Sequence, residues 1–566
     1  MKFSEIPYKR PDLKEEMEKI DALTQKFLDA SSAEEQYQVM KEFDTQTKHS
    51  AAMYSVASIR YTINTKDEFY AKEQEFYDEN MPYFEEKAQQ FENVILESKF
   101  RPELEAKLGK LLFKSLELNK KCFSPAIIED LQEENKLTSE YQKLYGSAVI
   151  EFDGKKMPLP MLGVYKESPD RAVRKAAFEA DANFFDSNRQ QFDEIFDALV
   201  KVRTKMAKKL GYDSFTQMAY DRMGRNCYGP EEVAKFRDSI AKDAVPAVNE
   251  VIELQRKRIG VDKIHLYDNI FTFKNGNVKP HGTPEEILAA GREMYHKLSP
   301  ETAEFIDLMY DNELFDVLSR DGKAPGGYCS FVEEYDYPFI FSNFNGTSGD
   351  VDVLTHEAGH AFEAYRSSII LKNGLMMEHN ATMETCECHS MSMEFLTSDY
   401  HHLFFGDDTK KYELSHAEDA FCFIPYGCMV DEFQHVIYEK PDMTPDERNE
   451  VWAGLEKKYR PYLDLSDLPF YGRGAGWQRQ LHIYESPFYY IDYCMAQTIA
   501  FEFWLLWMKD KKEGWRRYVE FVDAAGRKSF EQVVKDAGLY LPYEPNGIKK
   551  VSESVLEWIK KHQIKE

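Results

Sequence analysis

His356 and His360 stand one helical turn apart in the run DVLTHEAGHAFEAY, residues 352–365, and Glu357 directly follows the first of them. Residues four apart on a helix lie one above the other, so both imidazoles can be aimed at a single point. Two neutral imidazoles at that separation suit a borderline-soft cation, zinc above all. Glu357 falls on the adjoining strip of helix surface, where it is placed to hydrogen-bond a water held by the metal and not to ligate the metal itself. A chance H-E-x-x-H run occurs in roughly a few per cent of chains this long, so the reading requires a third ligand. A catalytic zinc usually takes three protein ligands and keeps one position open, which directs the search to carboxylates downstream.

The segment NATMETCECHSMSMEFLTSDY, residues 380–400, carries Glu384, Glu387 and Glu394 on one helix face. Met383, Met391, Met393 and Phe395 mark that helix as packed, and acids beside such a run are costly to bury unless a cation faces them. Spacing leaves open whether Glu384 or Glu387 is the ligand. Asp352 precedes His356 by one turn, placed either to orient an imidazole or to stabilise the helix dipole. Further along, LHIYESPFYYIDYCMAQ, residues 481–497, gathers His482 with four tyrosines, Tyr484, Tyr489, Tyr490 and Tyr493. An aromatic core strip accounts for Tyr484 and Tyr490 as well as any role in binding does. Phe488 is read as shaping a pocket, and with Tyr490 it belongs to the candidate substrate-binding set.

The elements that must position these groups are mostly helical. Helical periodicity with little glycine runs from Asp12 to about Tyr141, which predicts an antiparallel set of long helices. Alternation around Asp153-Gly154 predicts a hairpin, and Ser168-Pro169-Asp170 predicts a helix start. Residues 326–350, GGYCSFVEEYDYPFIFSNFNGTSGD, read as strand, and Pro338 favours an edge position. Such an edge can accept an extended peptide, with Phe341, Asn343 and Phe344 as the contacting residues. The run YGRGAGWQ is too irregular for a nucleotide fingerprint and lacks a P-loop lysine. The fold class expected is mainly α with a small β-sheet near the active-site helix, divided into a helical N-terminal lobe over 1–200 and a catalytic lobe over 201–566.

Composition narrows the partners. The 566 residues carry 72 Lys and Arg against 99 Asp and Glu, a net charge of -27, which argues against nucleic acid and anionic membranes. The longest apolar run, TIAFEFWLLWM near residue 500, is too short to span a bilayer and includes Glu502. The eight cysteines form no C-x-x-C pair, and MKFSEIPYKRPDLKEEMEK has no apolar leader, so reduced thiols and a cytoplasmic location are expected.

HEAGHAF and ECHSMSME together, with the later AGLYLPYEPNGI, resemble the oligoendopeptidase F and thimet oligopeptidase family of zinc metallopeptidases. The resemblance runs from about residue 150 to 550 and is particular to the bacterial Pz-peptidase-like branch. In that family the ligand glutamate is followed by a serine three residues on and a glutamate seven on. Glu387, Ser390 and Glu394 match, leaving Glu384 as an alternative ligand or a neighbouring acid, since the 27 residues from His360 to Glu387 slightly exceed the usual gap. The family's cleft histidine and its tyrosine about a dozen residues on match His482 and Tyr493, with Tyr489 as a substrate or oxyanion contact, and the choice between the two tyrosines for the oxyanion stays open.

The resemblance implies one zinc ion per chain, two lobes enclosing a deep channel, and internal cleavage of short peptides. Zinc lowers the pKa of a bound water from 15.7 to about 7, and Glu357 would act as its general base. Two other classes stay open: a metal-containing peptide-binding protein without turnover, and a zinc carboxypeptidase using Arg473 or Arg479 to anchor a terminal carboxylate. A G-x-S-x-G elbow is absent from the sequence. Oligomeric state is not specified by the sequence.

Overall fold

The computed structural model describes residues 1–320, 322–324 and 326–564, and helices make up most of it. Their starts follow local chemistry. Asp12 caps Leu13–Asp29, Ser32 caps Ala33–Ile63, Asp67 caps Glu68–Leu96 and Asp170 caps Arg171–Ser187, each side chain accepting from a first-turn backbone N–H. No helix of the described residues is long and apolar enough to cross a membrane.

The backbone groups into two units, each built from three separate stretches, so each draws on both sides of residue 200. One unit comprises Met1–Pro125, Lys279–Asp407 and Phe503–Leu539; the other comprises Ala126–Val278, Asp408–Glu502 and Tyr540–Glu566.

In the first unit the N-terminal helices bury an apolar cluster that includes Phe27, Met40, Phe43 and Phe91, the last two rings stacked at 4.1 Å. This unit also holds a three-stranded sheet. With β1 (Ile150–Phe152) and β2 (Lys155–Met157) in the second unit, its strands are β3 (Phe315–Leu318), β4 (Tyr328–Val332) and β5 (Tyr337–Phe344), in the order β3-β5-β4. Strand β5 is therefore central and not an edge, which corrects the expectation drawn from Pro338. The reason is local: β3 pairs with β5 only from Ile340 onward, whereas Pro338 lies opposite Phe331 of β4. Its missing N–H therefore removes no bond to β3.

The second unit contains the expected hairpin, β1 antiparallel to β2, turning through Asp153 at φ 50° and Gly154 at φ 70°. Its core is aromatic. Tyr484 stacks on Tyr141 at 3.9 Å and lies 5.9 Å from Trp477, with all three buried.

Candidate metal centre and tyrosine cluster

The first histidine pair sits on the helix Gly349–Ile370, which follows β5 through a four-residue turn. Asp350 closes that turn, its carboxylate accepting from the N–H groups of Asn345 and Gly346 at 2.8 Å each. Gly346 supplies the positive φ of 83° that the reversal needs. The glutamates lie on a second helix, Met383–Leu396. The two helices approach closely at Gly359, where an added Cβ would stand 2.6 Å from Ser390 Cα and 2.7 Å from His389 O. The glycine of HEAGH thus lets the two ligand-bearing backbones come together.

His356, His360 and Glu387 each offer one ligand atom, all within 4.8 Å of one another. Nε2 of His356 is 3.3 Å and Nε2 of His360 is 3.4 Å from the same oxygen, Glu387 Oε2. The two imidazole planes are 80° apart, with centroids 5.1 Å from each other. His356 Nδ1 donates to Glu394 Oε1 at 2.7 Å, because an ionised carboxylate can only accept. A neutral His356 then turns the lone pair of Nε2 toward Glu387. Lone pairs facing a carboxylate repel unless a cation lies among them, and an N, N, O set of this kind fits zinc.

Electrostatics express the same demand. Burial opposes protonation of His356, yet with no cation among these groups Glu387 and Glu394 draw a proton onto the imidazole and hold its pKa well above the usual value. For Glu387, burial would raise the carboxyl, but the neighbouring His360 and His356 keep it well below the usual range. Ser390 Oγ donates to Glu387 Oε2 at 3.0 Å, fixing the carboxylate from its own helix. Glu357 is 8% exposed, and burial pushes its carboxyl up.

Glu384 is also buried, but its carboxylate accepts from Thr382 Oγ1 and lies outside the converging group. Asp352 occupies the first turn of the Gly349–Ile370 helix, and the carboxylate at His356 Nδ1 is Glu394. Phe341 is fully buried and stacks on Tyr328 at 4.8 Å; Phe344 is 6% exposed. Asn343 donates its side-chain amide to Ala324 O and Gly326 O, bracing the loop before β4.

The second unit brings His482 together with three of the predicted tyrosines. Its ring centroid is 5.9 Å from Tyr489, 4.9 Å from Tyr490 and 5.8 Å from Tyr493. Gln480 Nε2 is 2.9 Å from His482 Nδ1, and Tyr426 donates its hydroxyl to Gln480 Oε1 at 2.7 Å. Phe488 is fully buried, its ring 4.9 Å from that of His435 and 5.6 Å from that of Tyr438. Arg473 and Arg479 pair with Asp186 at 2.6 Å and Asp181 at 2.8 Å. Sequence reasoning missed Gln480 and the buried Arg203, Arg225 and Gln434 that grip this loop; only Gln434, a polar residue inside an apolar helical run, gave a signal.

Two zinc-type imidazoles, a third carboxylate ligand and a buried acid beside them, all on helices, define a metallopeptidase-like centre. Residues 164–552 match the profile of Peptidase family M3, and residues 3–123 match that of the Peptidase M3 N-terminal domain. The chain belongs to peptidase family M3. The N-terminal match extends the likeness into a region where the sequence alone showed only helical character. A solved structure of Pz peptidase A with an inhibitor superposes with a TM-score of 0.94 at 45% identity, covering 99% of each chain. A structure described as an oligoendopeptidase F from Bacillus anthracis gives 0.90 at 41% identity, covering 99% of this chain and 98% of the other. Oligopeptidase PepF of Bacillus subtilis (strain 168) is 26% identical over 387 residues, 66% of this chain and 55% of that relative. The chain thus spans little more than half the length of that curated relative.

Proposed function

We propose that the protein is a zinc-dependent endopeptidase that hydrolyses internal bonds of short peptides. The convergence of ligand atoms from His356, His360 and Glu387, with buried Glu357 on the same helix, carries this reading. Zinc held by these three residues would supply the Lewis acid for the carbonyl and the attacking water. Glu357 accepts a proton from that water on a carboxylate oxygen. Its burial strengthens its hold on that proton until the leaving amine takes it up. His482, Tyr489 and Tyr493 keep the role that the family resemblance implies, that of hydrogen-bond donors to an oxyanion. Peptide substrates are supported by family membership and by the oligopeptidase name of the Bacillus subtilis relative. One zinc per chain is supported by the single converging group among the described residues. The eight thiols, none in a disulfide, suit a reducing compartment and support a cytoplasmic location.

The ion pairs of Arg473 and Arg479 weigh against the carboxypeptidase alternative, because both guanidiniums already have carboxylates. The deciding experiment measures zinc content and cleavage of quenched fluorescent peptides for the parent and Glu357→Gln, with cut positions read by mass spectrometry. One zinc in both is expected, with internal cuts and a drop in turnover of about 10²–10⁴-fold in the variant. Zinc without cleavage in either would replace this reading with the peptide-binding one, and removal of terminal residues alone would favour a carboxypeptidase.

A further inference from the structure

Phe488 has a left-handed backbone, with φ at 68°. A bulky side chain rarely takes that conformation unless its surroundings impose it. Here both of its peptide groups are held by buried side chains. Its N–H donates to Gln434 Oε1 at 2.9 Å, and its carbonyl accepts from Arg225 Nη2 at 2.5 Å. The same Arg225 nitrogen donates to Asp492 Oδ1 at 2.7 Å, and neither side chain of that ion pair is exposed.

The preceding turn is gripped in the same way. Arg203, also fully buried, donates to Tyr484 O at 2.5 Å while paired with Glu134 at 2.6 Å. Residues 484–488 are thus fastened at both ends by guanidiniums bonded to main-chain carbonyls. A glycine would take the conformation of Phe488 freely and leave the turn loose. A clamped phenylalanine fixes it, and the backbone of residue 488 sets the direction in which Tyr489 leaves. Asp492, the other partner of Arg225, is adjacent to Tyr493.

We propose that Arg225 and Gln434 are positioning residues for the reaction: they hold Phe488 in its left-handed turn and so fix Tyr489 and Tyr493 as hydrogen-bond donors. The proposal rests on the assignment of those tyrosines given above. Charge-assisted hydrogen bonds to a buried backbone carbonyl are strong enough for the task, and small displacements of such donors have large kinetic effects.

The test combines Gln434→Met, which removes the acceptor of Phe488 N–H at similar side-chain length, with a Tyr489→Phe, Tyr493→Phe background. Zinc content is measured throughout, and hydrogen exchange is followed in peptides spanning residues 484–493. Gln434→Met is expected to lower kcat roughly ten- to hundredfold at unchanged KM, with zinc retained and exchange in that segment accelerated. In the doubly substituted background the same change should alter kcat by no more than about twofold, because its effect passes through the missing hydroxyls. Arg225→Lys, which keeps a cation beside Asp492 but loses the planar fork, should give the same split and serves if Gln434→Met does not fold.

Equal losses in both backgrounds, or unaltered exchange and kcat, would overturn the proposal. Full kcat in the tyrosine double variant would overturn the tyrosine assignment and the proposal with it. That outcome is distinguished from failure of the clamp by exchange at 484–493, which Gln434→Met would still accelerate.

Discussion

Glu394 takes no place among the converging ligand atoms, yet its 2.7 Å contact with His356 Nδ1 decides which ring nitrogen remains available. Glu394→Ala should therefore weaken zinc binding by about 10- to 100-fold, measured by competition with a chelating dye, while helix content by circular dichroism stays near that of the parent. His356, Glu357 and His360 were legible because helical periodicity alone juxtaposes them. The choice between Glu384 and Glu387 was not, since both project from one face of one helix. In the structure different hydroxyls engage them, Thr382 the first and Ser390 the second. Arg203 and Arg225 left no local trace at all. Their backbone partners lie 281 and 263 residues away, beyond the reach of any pattern within a sequence window.

Helices meet at glycines in both units, and the two contacts differ in how much they can yield. At Gly359 an added methyl meets backbone atoms of Ser390 and His389. Gly359→Ala should cost about 1–3 kcal/mol, seen as a lower denaturation midpoint, and should reduce zinc occupancy by separating Glu387 from the histidines. At Gly427, within the helix Thr409–Glu439, the methyl would stand 2.1 Å from Cys494 Sγ. Gly427→Ala should destabilise the protein, and adding Cys494→Ala should restore most of the loss because a thiol, not backbone, is in the way. Thermal unfolding of the two variants checks this. The glycine of HEAGH was visible in the sequence, but its purpose was not, because helix-to-helix distance is a tertiary property. Strand β5 was legible as a strand from its aromatic run. Its central position was hidden because Pro338 sits where β3 has not yet begun to pair.

Across the molecule, buried carboxylates set the acid limit of stability. Burial would raise Glu363, but its hydrogen bond with His379 brings it down to about 2, against an ordinary value of 4.5. Burial likewise opposes ionisation of Asp431, but His435 and Arg237 bring it down to about 2, against 3.8. Carboxyls held below their unfolded values contribute stability above those values and lose it as pH falls through them toward the folded ones. Both units should therefore weaken between pH 4.5 and about 2, each carboxyl accounting for on the order of 2 kcal/mol. His379 acts in the opposite sense. Burial would lower its pKa, but Glu363 raises it above 6.5, so its contribution is complete below that value and fades as pH rises through the raised one. Denaturation midpoints against pH, with Glu363→Gln and Asp431→Asn flattening the acid limb, check both directions.

The interleaving of the two units has a consequence for biosynthesis. Phe503–Leu539 is the last stretch of the unit that holds His356, His360 and Glu387. At about 5–20 residues per second, a ribosome finishes Glu387 roughly 6–23 s before it reaches that stretch. During that interval the two imidazoles and the carboxylate exist on a nascent chain whose shell is incomplete, and a loosely assembled N, N, O set favours copper and nickel over more abundant ions. A centre whose surroundings close only with that last stretch would therefore discriminate among metals only once the stretch is in place.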